Sequence, residues 1–276
     1  MKVIVTGASG FLGHALFHHL KAAGFDCLGV SRRSDLNELL SVVDYSQSPV
    51  GDVLVHCAEP SNRPMVNKMD SQDISDIIEN TKKLLNKPFS HVIYLSSAAL
   101  YGDKAHEPRH VTDDIYVSDN YCKVKRAAEL SVLKTTGTIL RLGNVYGIGM
   151  SKENVISTAM QQLFLSSDIE MRTLSPVRDY IWYTDVLDAI TKACILRPAG
   201  IFNIGSGIGV SVAQLIDEMQ LVMNTKLRVK ETTPIGEVSC QFLDIDLSMS
   251  ELDWKPVVDI KHGLKIIKSH MCKESY

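Results

Sequence analysis

The chain has 276 residues, of which 45% are hydrophobic and 22% are charged. This composition is typical of a globular protein and excludes disordered and collagen-like chains. The 29 basic and 32 acidic residues give a net charge of −3, which argues against nucleic-acid binding because that function needs a basic excess. No apolar run approaches the roughly 18 residues of a membrane span, no export signal is visible, and the six cysteines contain no CxxC pair. We therefore expect a soluble cytoplasmic protein that binds neither nucleic acid nor membranes.

Strand-like and helix-like segments alternate along the first half of the chain. Short apolar runs predict buried strands at 2–6, 27–30, 53–57, 91–96 and 138–142. Apolar residues at helical spacing predict helices at 11–23, 74–85 and 121–133. This alternation favours an α/β fold in which crossover helices connect a doubly wound, Rossmann-type parallel sheet.

The pattern changes after about residue 143. Helices are predicted at 153–165, at 184–196 and from 212 onward, and strands at 170–173, 179–182 and 200–204. The segment from 227 is more irregular, and no linker separates the two halves. We expect two interleaved domains. The first covers 1–142 plus about 183–205, and the second covers about 143–182 plus 206–276.

A glycine-rich turn joins the first predicted strand to the first helix. Its pattern is G-x-x-G-x-x-G, and glycines there let the backbone approach a pyrophosphate closely. The helix that follows offers free N–H groups and the positive end of its dipole to the anion. We expect the cofactor to bind Gly7, Ser9, Gly10, Phe11, Leu12 and Gly13.

The second strand ends at Ser31-Arg32-Arg33, where NAD-binding units usually place an acidic residue. A carboxylate would repel a 2′-phosphate, whereas Ser31 can donate to that group and the two arginines can bind it bidentately. This favours NADP(H) as the cofactor, with NAD remaining possible.

Ser97 follows the fourth predicted strand, and Tyr121 and Lys125 form a Tyr-x-x-x-Lys pair on a predicted helix. Positions i and i+4 share a helix face, so Lys125 can lie beside the cofactor ribose while Tyr121 points at the substrate. A nearby ammonium favours the phenolate and so tunes proton transfer by the tyrosine. We expect Ser97 to polarise the carbonyl or hydroxyl group that reacts.

These motifs resemble the extended short-chain dehydrogenases, the nucleotide-sugar epimerase, dehydratase and reductase group. The resemblance runs nearly end to end and includes the segments Glu79–Thr81, Leu140–Gly147, Val177–Trp182, Gly205–Gly207, Gly236-Glu237 and Leu252–Pro256. The resemblance implies that the first of the two interleaved domains is a dinucleotide-binding Rossmann domain and the second a small C-terminal α/β substrate lobe. It also implies a nucleoside-diphosphate sugar bound between them and a possible homodimer.

The resemblance also implies roles for further residues. Asp44 and Tyr45 resemble the turn on the adenine side of the cofactor, and we expect Cys57 and Ala58 to border the cofactor without a thiolate role. The residues implied for substrate binding are Ser97, Asn144, Arg178 and Glu237.

Departures from the family pattern reduce the number of reactions that the chain is expected to catalyse. Ala98-Ala99 stand where dehydratases carry Asp-Glu and where fucose-type epimerase-reductases carry a cysteine, so both activities are disfavoured. Pro234 replaces the usual diphosphate-binding arginine, which leaves Arg178 as the main anion ligand. We expect an NADP(H)-dependent reductase of a nucleoside-diphosphate-linked 4-keto sugar. The alternatives are a nucleotide-sugar 4-epimerase with tightly held NAD and, third, a non-catalytic NADP-binding sensor.

Two further sequence patterns resemble ligand sites, but we interpret both as structural features that bind no ligand. His14 and His18 have metal-like i, i+4 spacing but lack the intervening glutamate of a zinc-protease helix, so we expect a solvated face and no metal. The Gly205-x-Gly207-x-Gly209 pattern precedes a capping box that begins at Ser211, which indicates a strand–turn–helix joint.

Overall fold

The computed structural model describes residues 1–165, 168–233 and 239–274. In chain order its strands are β1 Lys2–Thr6, β2 Asp26–Ser31, β3 Leu40–Ser41, β4 Val53–His56, β5 His91–Ser97, β6 Thr138–Leu142, β7 Asn144–Tyr146, β8 Ile169–Met171, β9 Val177–Trp182, β10 Gly200–Ile204, β11 Gly209–Ser211, β12 Val229–Glu231 and β13 Cys240–Gln241. Its α-helices are α1 Phe11–Ala22, α2 Arg63–Val66, α3 Ser71–Leu85, α4 Asn120–Val132, α5 Val155–Phe164, α6 Tyr183–Leu196, α7 Val212–Met223, α8 Asp246–Glu251 and α9 Ile260–Glu274.

Within the described residues, seven strands form one parallel sheet in the order β10-β6-β5-β4-β1-β2-β3. The chain winds outward from β1 in one direction to β3 and then in the other direction through β4 to β10. The order therefore reverses between β1 and β4, and the loops beyond their carboxyl ends diverge there to leave a crevice. The predicted doubly wound Rossmann-type sheet is confirmed.

Helices cover both faces of this sheet because its strands are buried on both sides. Successive strand side chains point to opposite faces. Val3 and Val5 of β1 belong to an apolar core with Leu16 of α1, whereas Ile4 belongs to a second core with Leu84 of α3. Continuous burial of this kind explains why the predicted strands are apolar runs without polar alternation.

A second, smaller group of elements follows β6. Strands β7, β11 and β13 each pair with β9, and β8 pairs with β12. Met160 of α5, Leu215 of α7, Leu264 of α9 and Trp182 of β9 share one apolar core there. The chain returns to the large sheet through α6 and β10 before it completes this group, so the two parts are interleaved along the sequence.

The last part of the chain packs on both cores. Leu252 and Trp254 are buried in the core of the large sheet, and the Trp254 indole donates to the Asp185 carbonyl oxygen at 2.8 Å. The Asp185 carboxylate accepts from the backbone N–H groups of Val257 and Val258 at 3.1 and 3.0 Å. These contacts attach the segment after α8 to α6 and lead the chain into α9.

The first-half strands lie within one residue of their predicted ends, except that the prediction omitted β3. That strand has two residues, both exposed, so it carries no apolar signal. The expectation of irregular structure from 227 onward was wrong for α9, whose Ile260, Leu264 and Ile267 do repeat at helical spacing. None of the helices in the described ranges has the length and apolar character required to span a bilayer.

Candidate active site

The carboxyl ends of β1, β4, β5 and β6 open into a cleft of about 520 Å³. Sequence-predicted residues that line this cleft are Gly7, Ser9, Gly10, Phe11, Leu12, Gly13, Tyr45, Cys57, Ala58, Ser97, Tyr121 and Lys125. The fold thus brings the glycine turn and the Ser/Tyr/Lys set to one site, although they are separated by more than 80 positions in the chain.

The glycine turn is closed tightly beneath the first helix. Gly7 has a φ of +71°, and a Cβ added there would lie 2.8 Å from the Ala58 Cα. A Cβ on Gly13 would lie 2.2 Å from the Gly7 carbonyl oxygen, so the helix can pack on the turn only without that atom. Helix α1 has no side-chain cap and no acidic residue in its first turn, which leaves its first N–H groups open to an anion. The turn therefore fits the pyrophosphate of a dinucleotide cofactor.

The end of β2 borders a side pocket of about 310 Å³, lined in part by Arg32, Asp44 and Tyr45. The Arg32 guanidinium lies 5.5 Å from the centre of the Tyr45 ring. Arg33 instead turns to the surface, where it forms a bidentate pair with Asp35 at 2.6 and 3.1 Å. Of the two arginines, Arg32 therefore faces the pocket and Arg33 is held away from it.

Ser31 is fully buried at the end of β2. Its hydroxyl donates to the Ser9 hydroxyl at 2.8 Å and accepts from the Arg33 backbone N–H at 3.0 Å. The sequence predicts Ser31 as a donor to the cofactor, but in the structure its proton is already used to link β2 to the glycine turn. Ser31 therefore connects the end of β2 to the glycine turn by a hydrogen bond.

The Ser/Tyr/Lys set lies where β5 ends and α4 begins. Ser97 is the last residue of β5, and its hydroxyl accepts from the Ala99 N–H at 3.2 Å. Tyr121 and Lys125 lie on the inner face of α4, with the lysine Nζ 5.8 Å from the centre of the tyrosine ring. The predicted i, i+4 juxtaposition on one helix face is therefore present.

Glu59 was not predicted as a partner of Lys125, and it is the main one in the structure. Its carboxylate lies 3.0 Å from Lys125 Nζ and also accepts from the hydroxyl of Tyr94, which projects from β5. Lys125 donates as well to the Leu95 carbonyl oxygen at 2.9 Å. Glu59 follows β4 by three residues, and a charged side chain at the carboxyl edge of a buried strand is the sequence signal that points to it.

This network sets the charge of each member. Burial alone lowers the pKa of Lys125, but the Glu59 carboxylate and then the Tyr121 phenol outweigh it, so that the pKa lies above its usual value and Lys125 is an ammonium. Burial raises the pKa of Tyr94, which keeps its proton as a donor to Glu59. Burial lowers the pKa of the nearby His56 to about 4, so this imidazole is neutral. Burial also raises the pKa of Cys57 to about 12, consistent with the expected absence of a thiolate role.

Glu129, which was also not predicted, attaches α4 to the sheet. Its carboxylate accepts from the Arg141 guanidinium at 2.8 and 2.9 Å and from the Ser96 hydroxyl at 2.7 Å. Glu129 and Arg141 are almost fully buried, and their pairing outweighs burial to lower the pKa of Glu129. This ion pair joins α4 to β5 and β6, and it therefore positions Tyr121 and Lys125 over the cleft.

A second cavity, the basic chamber, has a volume of about 490 Å³. It is lined by Arg63, Lys104, Arg109 and Arg178, with Asp103 among them. These side chains come from the two halves of the chain, on either side of β6. Four cationic side chains and one carboxylate line the chamber, while Arg63 and Arg109 also pair with carboxylates beside it, Asp119 at 2.7 Å and Asp113 at 3.6 Å. The cationic excess of the lining itself suits an anionic ligand.

The predicted substrate ligands are distributed unevenly around this chamber. Arg178 lines it and is oriented by Asp103 at 3.3 Å and by the Ser239 hydroxyl at 2.6 Å. Asn144 begins β7 opposite Tyr180 of β9 and lines neither the cleft nor the chamber. Glu237, together with the departure at Pro234, lies outside the described residues.

The turn after β10 is organised by a carboxylate. Asp179 is buried and accepts from the Ser206 N–H and hydroxyl at 2.6 and 2.7 Å and from the Gly207 N–H at 3.1 Å. The turn leads through β11 to the Ser211 capping box of α7, in which both expected hydrogen bonds are present. These internal contacts account for the glycines of this turn without a ligand, as the sequence indicates.

Comparison with known proteins assigns the chain to a family. Residues 3–205 match the NAD dependent epimerase/dehydratase family. The chain belongs to this family. A dTDP-4-dehydro-6-deoxyglucose reductase from Escherichia coli is 26% identical to it, with 98% of each chain covered.

Solved structures agree with this assignment at the level of the fold. A UDP-glucose 4-epimerase from Thermotoga maritima, solved with UDP-glucose, superposes with a TM-score of 0.87 at 22% identity and with 100% of both chains covered. RMD from Pseudomonas aeruginosa, solved with NADPH, superposes with a TM-score of 0.87 at 22% identity and 99% coverage of each chain. By its family, and not by these structures, the chain is an NAD(P)-dependent oxidoreductase or epimerase of the extended short-chain dehydrogenase type.

Proposed function

We propose that this protein is an NADP(H)-dependent reductase of a nucleoside-diphosphate-linked 4-keto sugar. The observation that carries the proposal is the placement of Tyr121 and Lys125 beside the glycine turn in one cleft, with a basic chamber nearby. The relative that reduces a dTDP-linked 4-keto sugar, similar over nearly its whole length, supports the same substrate class.

The side chains of the cleft are suited to general acid–base catalysis at a carbonyl group. A nicotinamide cofactor held by the glycine turn would supply a hydride to the carbonyl carbon, and the carbonyl oxygen would then need one proton. Tyr121 gives that proton from its hydroxyl and recovers one from solvent. The Lys125 ammonium stabilises the phenolate that remains, and the Ser97 hydroxyl donates a hydrogen bond to the same carbonyl oxygen.

The basic chamber is proposed to hold the diphosphate of the substrate. Arg178 lies in it, as the family resemblance implies, and Arg109 adds a second guanidinium whose Nε is buried without a hydrogen-bond partner in the described structure. A buried donor without a partner is costly unless a ligand satisfies it. Arg109 is therefore our proposed replacement for the arginine that Pro234 displaces.

The preference for NADP(H) rests on Arg32. No carboxylate ends β2, and the Arg32 guanidinium lines the side pocket, where a 2′-phosphate would find a cation. Arg33 is paired with Asp35 and contributes less. Because one arginine instead of two serves this role, a 4-epimerase that retains NAD is the second candidate.

Dehydration is not proposed. Ala98 is buried and Ala99 partly buried in the turn after β5, where the dehydratase acid and base would stand. Among the described residues that line the cleft, Glu59 is the only carboxylate, and it is engaged by Lys125 and Tyr94. The intact Ser/Tyr/Lys set likewise argues against a purely non-catalytic sensor.

The test is a reaction with a nucleoside-diphosphate-linked 4-keto-6-deoxy sugar. The purified protein should oxidise added NADPH in a 1:1 ratio to product, measured as loss of the absorbance of reduced nicotinamide. Interconversion of two 4-hydroxy epimers without added cofactor would instead establish the epimerase. If neither reaction occurs with any sugar nucleotide, the non-catalytic sensor is the alternative that remains.

A homodimer is proposed as well, through the face formed by α3 and α4. These helices pack side by side on the large sheet, and Leu130 and Leu133 are 47% and 44% exposed at the end of α4. Light scattering should give twice the chain mass, and Leu130→Glu should lower it to the monomer value.

A further inference from the structure

Two histidines and one carboxylate converge on the outer surface of α1, away from the cleft. The His14 and His18 rings lie one helical turn apart, and their Nε2 atoms are 3.2 Å from each other. Glu38, from the segment between β2 and β3, places its carboxylate oxygen 3.4 Å from His18 Nε2. The three ligand atoms all lie within 4.8 Å of one another. The helix spacing alone indicated a solvated face, whereas the structure adds a third ligand from a distant segment.

The separations of 3.2 and 3.4 Å match those between the ligand atoms of a small divalent ion. Zinc binds imidazole nitrogen at about 2.0–2.1 Å in tetrahedral geometry, which places two ligand nitrogens about 3.3 Å apart. Two imidazole nitrogens with one carboxylate oxygen form a donor set of the kind that zinc and neighbouring transition metals use. The fourth position faces solvent because the His18 and Glu38 side chains are 46% and 50% exposed.

Without a cation, a single proton on His18 Nε2 has to serve both of the contacts of that nitrogen. His18 Nε2 faces a ring nitrogen and a carboxylate, but a neutral imidazole nitrogen is either a donor or an acceptor. If His18 donates to Glu38, it cannot accept from His14 through the same nitrogen. One dication accepts lone pairs from all three atoms at once, and so resolves the conflict.

The third ligand is held in place by packing. Leu36 and Leu39 flank Glu38 in sequence and pack against the core of the large sheet, and Leu39 is 8% exposed. Phe17 stacks edge-on against the His18 ring, with the ring centres 5.1 Å apart. These contacts hold the backbone of Glu38 and the ring of His18 close to each other.

We propose that His14, His18 and Glu38 bind one zinc-class divalent ion, which fastens the 32–39 segment to α1. This segment begins with the arginines that border the side pocket, so the ion limits the motion of their backbone. The proposal does not depend on the reaction that the protein catalyses, since its ligands lie outside the cleft and the basic chamber.

The direct test is a titration of tag-free, metal-free protein with Co²⁺, followed by displacement with Zn²⁺. We expect one Co²⁺ per chain with visible absorption bands, and no such binding in His18→Ala. Glu38→Gln should weaken Zn²⁺ binding by about tenfold, or about 1.4 kcal/mol. The matched control is His19→Ala, which should bind as the unaltered chain does. His19 is the neighbouring histidine and has one carboxylate near it, Asp188 at 3.4 Å, but no third ligand in the part of the chain that the structure describes.

Hydrogen exchange supplies a second measurement that does not use catalysis. Zn²⁺ should slow backbone exchange in residues 34–38 of the unaltered chain and of His19→Ala, but not of Glu38→Gln. Absence of binding by the unaltered chain at 100-fold excess of either ion would overturn the proposal. Binding that survives in Glu38→Gln with unchanged affinity would also overturn it, because the ion would then be held by α1 alone.

Discussion

Two regions of the protein hold their charged groups in different ways. One is the part of the cleft around Lys125, called here the catalytic end for its proposed role, and the other is the surface segment after β2 beside the side pocket, called the outer end. At the catalytic end, the Lys125 and Glu59 side chains are 8% and 3% exposed and neutralise each other inside the protein. At the outer end, the Arg33 and Asp35 side chains are 59% and 62% exposed and pair in solvent. A buried pair is costly to break, whereas an exposed pair is screened and contributes little.

This difference indicates which property of the enzyme each end controls. The catalytic end is anchored to adjacent strands of the sheet by Glu59, Tyr94, Glu129 and Arg141, so its geometry is fixed before any ligand binds. The outer end lies on a surface segment between β2 and β3, where Arg32, Arg33 and Asp35 are exposed, so their substitution should not disturb the core. We therefore expect changes at the catalytic end to affect turnover and folding, and changes at the outer end to affect cofactor preference.

Tyr121→Phe should give the largest effect. The variant keeps the packing of the ring but removes the proton that is transferred, so kcat should fall by about 100- to 10,000-fold. KM should change little, because the hydroxyl acts mainly in the transition state. Steady-state kinetics with the keto-sugar substrate measure both constants. Near-full activity in this variant would contradict the assigned role of Tyr121.

Glu59→Gln should give the largest effect on stability. It leaves the buried Lys125 ammonium without a counter-charge, and removal of one partner from a buried pair costs about 3–5 kcal/mol. Denaturant unfolding measures this loss. The double variant Glu59→Gln/Lys125→Met should recover much of the loss, because no buried charge remains.

The matched control for Glu59 is a surface pair. Glu79→Gln breaks the exposed contact with Lys82 and should leave the unfolding free energy almost unchanged. Equal losses in the two single variants would show that burial does not govern these pairs, and would remove the basis for the comparison between the two ends.

His56, which lines the side pocket, should make the free energy of unfolding depend on pH. Burial lowers its pKa from 6.5 to about 4, so the unfolded chain binds a proton at higher pH than the folded chain does. Its contribution is complete above pH 6.5 and is lost as the pH falls toward 4, by about 3 kcal/mol in total. Unfolding measured across this range should show a smaller slope in His56→Asn, which retains an amide near the Thr6 hydroxyl. An unchanged slope would mean that His56 titrates normally in the folded protein.

Arg32→Ala should give the smallest effect, and only on the cofactor. Its loss should weaken NADPH binding by about tenfold, or about 1.4 kcal/mol, with little change for NADH. Arg33→Ala is the control, since the pairing with Asp35 holds that guanidinium away from the side pocket. Fluorescence titration of both reduced cofactors measures the four affinities. A greater loss in Arg33→Ala would reverse the assignment of the two arginines.

Much of the catalytic end could be predicted because its signals are local. The glycine spacing, the i, i+4 pair on α4 and the apolar runs of the sheet each depend on residues close in sequence. The partners of those residues were missed for the opposite reason. Glu59 lies 66 positions before Lys125, and Glu129 lies 12 positions before Arg141, so their pairing depends on how the helix crosses the sheet.

The sequence by itself determined the α/β alternation, the dinucleotide turn and the Tyr-x-x-x-Lys pair, because periodicity and turn chemistry act over a few residues. Tertiary structure decided which arginine faces the side pocket, which carboxylate neutralises Lys125, and that Glu38 reaches the two histidines of α1. These outcomes depend on strand order and on packing between distant segments. Both are set by burial of the whole core, which no short pattern encodes.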